Sequence, residues 1–125
     1  MIKGVGLDIV KIERIENLLS RWEGRFLNRV YTEKEIEYCR KKAYPASHYA
    51  ARFAAKEAIY KALGGHPGAL IWKEIEVTKK RSGEPEINLS GKTEESAQKL
   101  GIISLHISLT HARDIAAAQV VGEGE

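Results

Sequence analysis

Asp8, Glu57 and Lys61 are the residues of this chain whose types and spacing could do chemistry together. Glu57 and Lys61 stand four apart, so a helix through them sets a carboxylate and an ammonium group side by side on one face. Asp8 lies far upstream, behind Gly4 and Gly6 and with apolar neighbours on both sides. A carboxylate in such a place needs a cation or hydrogen bonds. Two acids from distant segments, with lysine nearby, suit a hard divalent cation such as Mg2+. That ion takes only one or two protein carboxylates and fills its shell with water and substrate phosphates. Simpler readings stand beside this one. Glu57 and Lys61 also form the common i,i+4 surface ion pair, worth ~0.3–0.5 kcal/mol. Asp8 could equally cap a following helix, worth ~1 kcal/mol.

Each of these residues needs an element to hold it. Alanines 51, 55, 58 and 62 fall on one narrow stripe of a 3.6-residue period, which predicts a close-packed helix over 48–63. Phe53, Glu57 and Lys61 run along a different face, and Gly64-Gly65 ends the helix. A strand over 2–8 puts Val5, Leu7 and Ile9 on one face and Gly4, Gly6 and Asp8 on the other. Glycines so placed mark the close approach of a ligand or another backbone.

The remaining segments supply a scaffold and basic surfaces. A helix is predicted from about Val10 to Trp22, with Ile12, Ile15, Leu19 and Trp22 as its buried stripe. Its other side carries Arg14, Leu18, Arg21 and Arg25, with Arg29 beyond Gly24. That ridge is either a solvated charged face or a docking surface for an acidic helix. Thr32-Glu33-Lys34-Glu35 is a capping box that starts a helix ending before Pro45. Arg40, Lys41 and Lys42 then form a basic cluster, either a solvated helix end or a phosphate clamp. Alternation of Ile75 and Val77, a turn through Gly83-Glu84-Pro85, and a return over 87–90 make a hairpin. A helix over 93–100 precedes a closing hairpin of 105–111 and 115–121. His106, Ser108 and Thr110 share one face of its first strand; His111 points the other way, which argues against a two-histidine metal site.

The 125 residues make one α+β domain, 1–125, with helices packed on a small antiparallel sheet. The lone Cys39 excludes an internal disulfide and suits a reducing cytoplasm. No signal peptide or membrane span is expected. The net charge of +3 is mildly basic, and only 7% of residues are aromatic, with no basic-aromatic run. Nucleic acid is therefore not the expected partner.

Several motifs carry a family resemblance. Gly4-Val5-Gly6-Leu7-Asp8-Ile9-Val10 with Arg14, and Phe53-Ala54-Ala55-Lys56-Glu57-Ala58-Ile59-Tyr60-Lys61-Ala62-Leu63-Gly64, resemble the two signatures of the 4′-phosphopantetheinyl transferases, most nearly the short bacterial holo-[acyl-carrier-protein] synthase type. Gly83-Glu84-Pro85 with Leu89-Ser90-Gly91, and His106-Ile107-Ser108-Leu109-Thr110-His111 leading to Ala116-Ala117-Ala118-Gln119-Val120, agree in the same order. The resemblance implies the α+β fold of that family. It also implies transfer of 4′-phosphopantetheine from coenzyme A to a serine of apo-acyl carrier protein, releasing adenosine 3′,5′-bisphosphate, in support of fatty acid biosynthesis. By the same resemblance Asp8 and Glu57 hold Mg2+, and Lys61 is a second cation on the phosphates. Pro85 walls the nucleotide pocket, His106 and Ser108 line it, and Arg14, Arg21 and Arg25 dock the carrier. The general base stays open between Glu57, a metal-bound water and Glu35. Short members form homotrimers with sites between subunits. The competing expectation is a non-enzymatic module that binds a nucleotide or an acidic protein.

Overall fold

Glycine and alanine decide how this molecule is assembled. The computed structural model describes residues 1–65 and 70–125. It opens with β1 (Ile2–Lys11), whose inward face is Gly4, Gly6, Asp8 and Val10. α3 (Pro45–Ala62) lies across that face. A methyl group at Gly6 would collide with the carbonyl of Ala58, and one at Gly4 with the carbonyl of Ala62. The backbone that the glycines admit is therefore that of the alanine-striped helix. Pro45 sits in the first turn of α3, where its missing N–H costs nothing. This is why the helix starts earlier than its alanine pattern suggests.

Between these elements lie α1 (Ile12–Val30) and α2 (Glu33–Arg40). α1 does not stop at Trp22. It kinks there, with φ −137° and ψ 33°, and continues. The kink breaks the helical stripe, so Trp22 is 49% exposed rather than buried, and Phe26 and Val30 take over the core contacts. α2 begins at the capping box: Thr32 Oγ1 accepts from the Glu35 amide, and Glu35 Oε1 accepts from the Thr32 amide at 2.8 Å.

After a single 3-10 turn at Trp72–Glu74 come β2 (Ile75–Lys79) and β3 (Pro85–Leu89), an antiparallel hairpin. α4 (Gly91–Lys99) leads to β4 (Ser104–His111) and β5 (Ile115–Glu123). β5 pairs antiparallel with both β1 and β4, giving a sheet ordered β1-β5-β4. The strands are antiparallel as expected, but they form two sheets rather than one. α3 fills the inner face of the larger sheet, where Ala116, Ala118 and Val120 of β5 are buried. The outer face is bare. Val5, Leu7 and Ile9 are 62%, 59% and 60% exposed.

One ion pair is enclosed completely. Lys56 Nζ donates to Glu35 Oε1 at 2.7 Å, to the Val30 carbonyl at 2.6 Å and to the Trp72 carbonyl at 3.1 Å. Glu35 Oε2 accepts from the Val77 amide at 2.8 Å. The pair thereby ties α2, α3 and β2 together. No helix among the described residues is long and apolar enough to cross a membrane.

Candidate active site

Because β1 and α3 touch backbone to backbone, side chains flanking the contact meet. Lys61 Nζ donates to Asp8 Oδ1 at 2.9 Å and to the Leu7 carbonyl at 3.1 Å. Asp8 is largely enclosed, whereas Lys61 remains half exposed at the rim. Glu57, one turn before Lys61, is half-buried. Burial, and then the Asp8 charge, push its carboxyl above the usual range, while Arg14 and Lys61 act against that shift. Arg14 also lays its guanidinium over the Phe53 ring, 5.2 Å from the centroid. Asp8, Glu57, Lys61 and Arg14 therefore converge, although they come from three elements.

Mutual repulsion between Asp8 and Glu57 is what a bound cation would relieve. Among the described residues no cluster of three or more His, Cys, Asp or Glu could hold a metal. A two-carboxylate site is too sparse for a closed structural zinc centre. It fits Mg2+, whose shell is completed by water and phosphate.

A second feature is a cleft of about 300 Å3 lined by Tyr38, His48, Arg52, Lys79 and His111. Pro85 and Ser108 border it as well. Tyr38 is ringed by cations: Arg52 Cζ lies 4.2 Å, Lys42 Nζ 4.4 Å and Lys79 Nζ 5.5 Å from its centroid. Against a desolvation penalty, Lys79, Arg52 and Lys42 draw its hydroxyl below the ordinary tyrosine range. Arg52 is buried, and its Nε has no hydrogen-bond partner among the described residues. None of Arg52, Lys42 and Lys79 forms an ion pair among the described residues. A buried guanidinium with unused donors and cationic neighbours is a seat for an anion, and phosphate matches its geometry.

The other expected site residues are distributed around these two features. Of the basic cluster 40–42, Arg40 and Lys41 are spent on Glu37, at 2.5 and 2.8 Å. Lys42 instead lies over the Tyr38 ring. His106 lies off it on the outer face of the sheet, with Nε2 3.0 Å from Glu123 Oε1. Arg14, Leu18, Arg21 and Trp22 line a groove along α1. Arg25 stacks on Trp22 at 5.7 Å. Glu35 is ruled out as a base, because it is fully buried and its oxygens are taken by Thr32, Val77 and Lys56. Sequence reasoning passed over Tyr38, His48 and Arg52. Their signal was the i,i+4 spacing of His48 with Arg52 and of Tyr38 with Lys42.

Comparison with known proteins decides the family. The 4′-phosphopantetheinyl transferase superfamily matches residues 4–120. This chain belongs to that family. Among the phosphopantetheinyl transferases, a holo-[acyl-carrier-protein] synthase of Syntrophus aciditrophicus is 49% identical over 125 residues, spanning 99% of this chain and 98% of its own. The crystal structure of the Neisseria meningitidis holo-[acyl-carrier-protein] synthase superposes with a TM-score of 0.88 at 33% identity, covering 98% of this chain and 99% of that one. A Helicobacter pylori holo-[acyl-carrier-protein] synthase, crystallised in complex with coenzyme A, gives 0.82 at 37% identity over 95% and 99%. The α+β fold is thus that of the phosphopantetheinyl transferases. The chain is an enzyme of that family, and the expectation of a non-enzymatic binding module falls away.

Proposed function

We propose that this transferase moves 4′-phosphopantetheine from coenzyme A to a serine of an apo-acyl carrier protein, with Mg2+, releasing adenosine 3′,5′-bisphosphate and supplying fatty acid biosynthesis in the cytoplasm. The meeting of Asp8, Glu57 and Lys61 at the β1–α3 contact carries this reading. The coenzyme A complex of the Helicobacter pylori relative supports the substrate.

In the reaction a serine oxygen bonds to phosphorus while a pyrophosphate P–O bond breaks. Such transfer depends on positioning and charge neutralisation more than on covalent help. Asp8 and Glu57 would hold Mg2+, which, when bound, offsets charge on the pyrophosphate oxygens. Lys61, on its flexible stem at the rim, exchanges Asp8 for a phosphate oxygen. The cations around Tyr38 hold the nucleotide's further phosphate, and Pro85 closes that cleft. With Glu35 excluded, the serine proton is left to Glu57 or to a metal-bound water.

The carrier docks along α1, where Arg14, Arg21 and Arg25 flank Leu18 and Trp22. Opposite charge there steers the encounter and makes it salt-sensitive. The bare outer face of β1 is the contact surface of a homotrimer. Burying Val5, Leu7 and Ile9 stabilises by ~1.5–3 kcal/mol each when complete. The outer-face histidine, His106, then stands where a neighbouring copy's cleft can reach it.

Intact-mass spectrometry tests the reading. An apo-acyl carrier protein incubated with this chain, coenzyme A and Mg2+ gains one phosphopantetheine, and chelator abolishes the gain. No gain with any of several apo carriers refutes it.

A further inference from the structure

The 3-10 turn at Trp72–Glu74 belongs to none of the sequence motifs, yet the buried ion pair is spent partly on it. Lys56 Nζ pins the Trp72 carbonyl at 3.1 Å. What the pinned turn presents is an indole. The Trp72 ring stacks on Phe53, with centroids 4.7 Å apart and an interplanar angle of 29°. Phe53 is itself buried in α3. The Arg14 guanidinium lies over that same Phe53 ring. Indole, phenyl ring and guanidinium therefore form one series from the 3-10 turn to α1.

Arg14 is exposed and forms no ion pair among the described residues. A long side chain left to wander there would have to be immobilised by whatever docks, and that lost rotamer freedom weakens binding. A ring face holds a guanidinium without neutralising it. The charge stays available to a carboxylate, in a place fixed beforehand. Arg14 borders the α1 groove, and its charge also acts on the Glu57 carboxyl. It thus stands where the docking surface meets the candidate active site. The hold on Arg14 is only as firm as the hold on the Phe53 ring, and Trp72 packs against that ring.

Resting on the reading that Arg14 meets the carrier, we propose that Trp72 is a positioning residue for carrier docking: its ring fixes Phe53, and Phe53 holds the Arg14 guanidinium in place before the carrier arrives. Trp72 acts only through Arg14. Its loss should therefore be felt by the carrier and not by coenzyme A. A phenyl ring at position 72 keeps a stacking face, so Trp72→Phe should retain most of the effect. Lysine at position 14 keeps the charge but not the planar group that stacks, so it should not replace arginine there.

Steady-state kinetics of the full chain test this, with apo-acyl carrier protein and coenzyme A varied in turn and turnover read by carrier mass shift. Trp72→Leu should raise KM for the carrier on the order of threefold to fivefold, the size of one exposed cation–ring contact. KM for coenzyme A and kcat should hold. Arg14→Ala should raise the carrier KM by more, and in that background Trp72→Leu should add nothing. A merely structural role for Trp72 would instead move both KM values or kcat, and would persist without Arg14. Where Trp72→Leu melts too low to assay, Arg14→Lys decides, since an exposed position tolerates it: a carrier KM raised towards that of Arg14→Ala supports the stack, and a wild-type value overturns it. A wild-type carrier KM in folded Trp72→Leu, or an undiminished effect in the Arg14→Ala background, also overturns the role of Trp72 and leaves docking by Arg14 standing. Arg14→Ala with a wild-type carrier KM overturns both.

Discussion

Gly6→Ala is the most informative single change, because it should damage stability and catalysis through one contact. The added methyl would overlap the Ala58 carbonyl, with the Ala62 amide next nearest. Both groups are helix backbone, so no rotamer change clears the space and either β1 or α3 must move. Overpacking of this kind costs ~1–3 kcal/mol, and a rigid neighbour sets the upper end. At ~4 °C per kcal/mol for a chain of this length, melting should fall by ~12 °C. Asp8 sits two residues along the strand, so β1 moving by ~1 Å parts it from Glu57 and Lys61. A misplacement of that size costs ~10²-fold in rate. Calorimetric melting and turnover by carrier-protein mass shift measure the two effects. Gly24→Ala is the control, since nothing lies within 4 Å of a methyl there. In that exposed helical position it should gain ~0.4–1 kcal/mol and leave turnover alone. A Gly6→Ala protein with wild-type melting and turnover would show that the strand does not take its position from the helix.

Other perturbations separate the remaining roles. Glu57→Gln should abolish turnover, yet in chelator it should melt above wild type at pH 7. The folded carboxyl titrates above its ordinary 4.5 because of burial and then Asp8. Folded protein therefore binds more protons in the window above 4.5, and wild-type stability declines as pH rises through it. The gap should close near pH 4.5, and added Mg2+ should raise the melting of wild type alone. Leu7→Asp should shift the chain to a monomer by light scattering and depress turnover; a trimer that survives it would move the subunit contact elsewhere. Arg21→Glu should raise KM for the carrier while affinity for coenzyme A holds, and equal losses would place Arg21 at the nucleotide. Lys56→Met leaves Glu35 buried without its cation and should cost about 3–5 kcal/mol in denaturant unfolding; a loss below 1 kcal/mol would mean that the two backbone amides suffice for Glu35.

Local signals in the chain proved readable where they are self-contained. Thr32 and Glu35 announce a helix start because both partners of the capping box lie within four residues. Glycines at 4 and 6 announce a close backbone, since little else justifies them in a strand. Asp8, Glu57 and Lys61 could be matched by chemistry and by family pattern, and their placement follows from that close approach. What could not be read depends on contacts between distant segments. The exposed state of Trp22 follows from a kink that no proline or glycine marks at that residue. The cationic cleft draws on α2, α3, β2 and β4, whose adjacency no spacing encodes. Glu35 satisfies its capping box in sequence, but its partnership with Lys56 and the Val77 amide exists only in the fold.

The enclosed Lys56–Glu35 pair limits how this sequence can drift. An isolated buried ion pair can often be exchanged for two apolar residues at little cost. Here the carboxylate also serves the Thr32 and Val77 amides, and the ammonium also serves the Val30 and Trp72 carbonyls. An apolar pair would strand all four backbone groups, at about 1–3 kcal/mol each. Position 35 is therefore kept acidic and position 56 basic by the main chain around them. Neither can change first, and changing together gives no escape. The neighbour of Glu57 is fixed in its chemistry by four main-chain groups outside the candidate site.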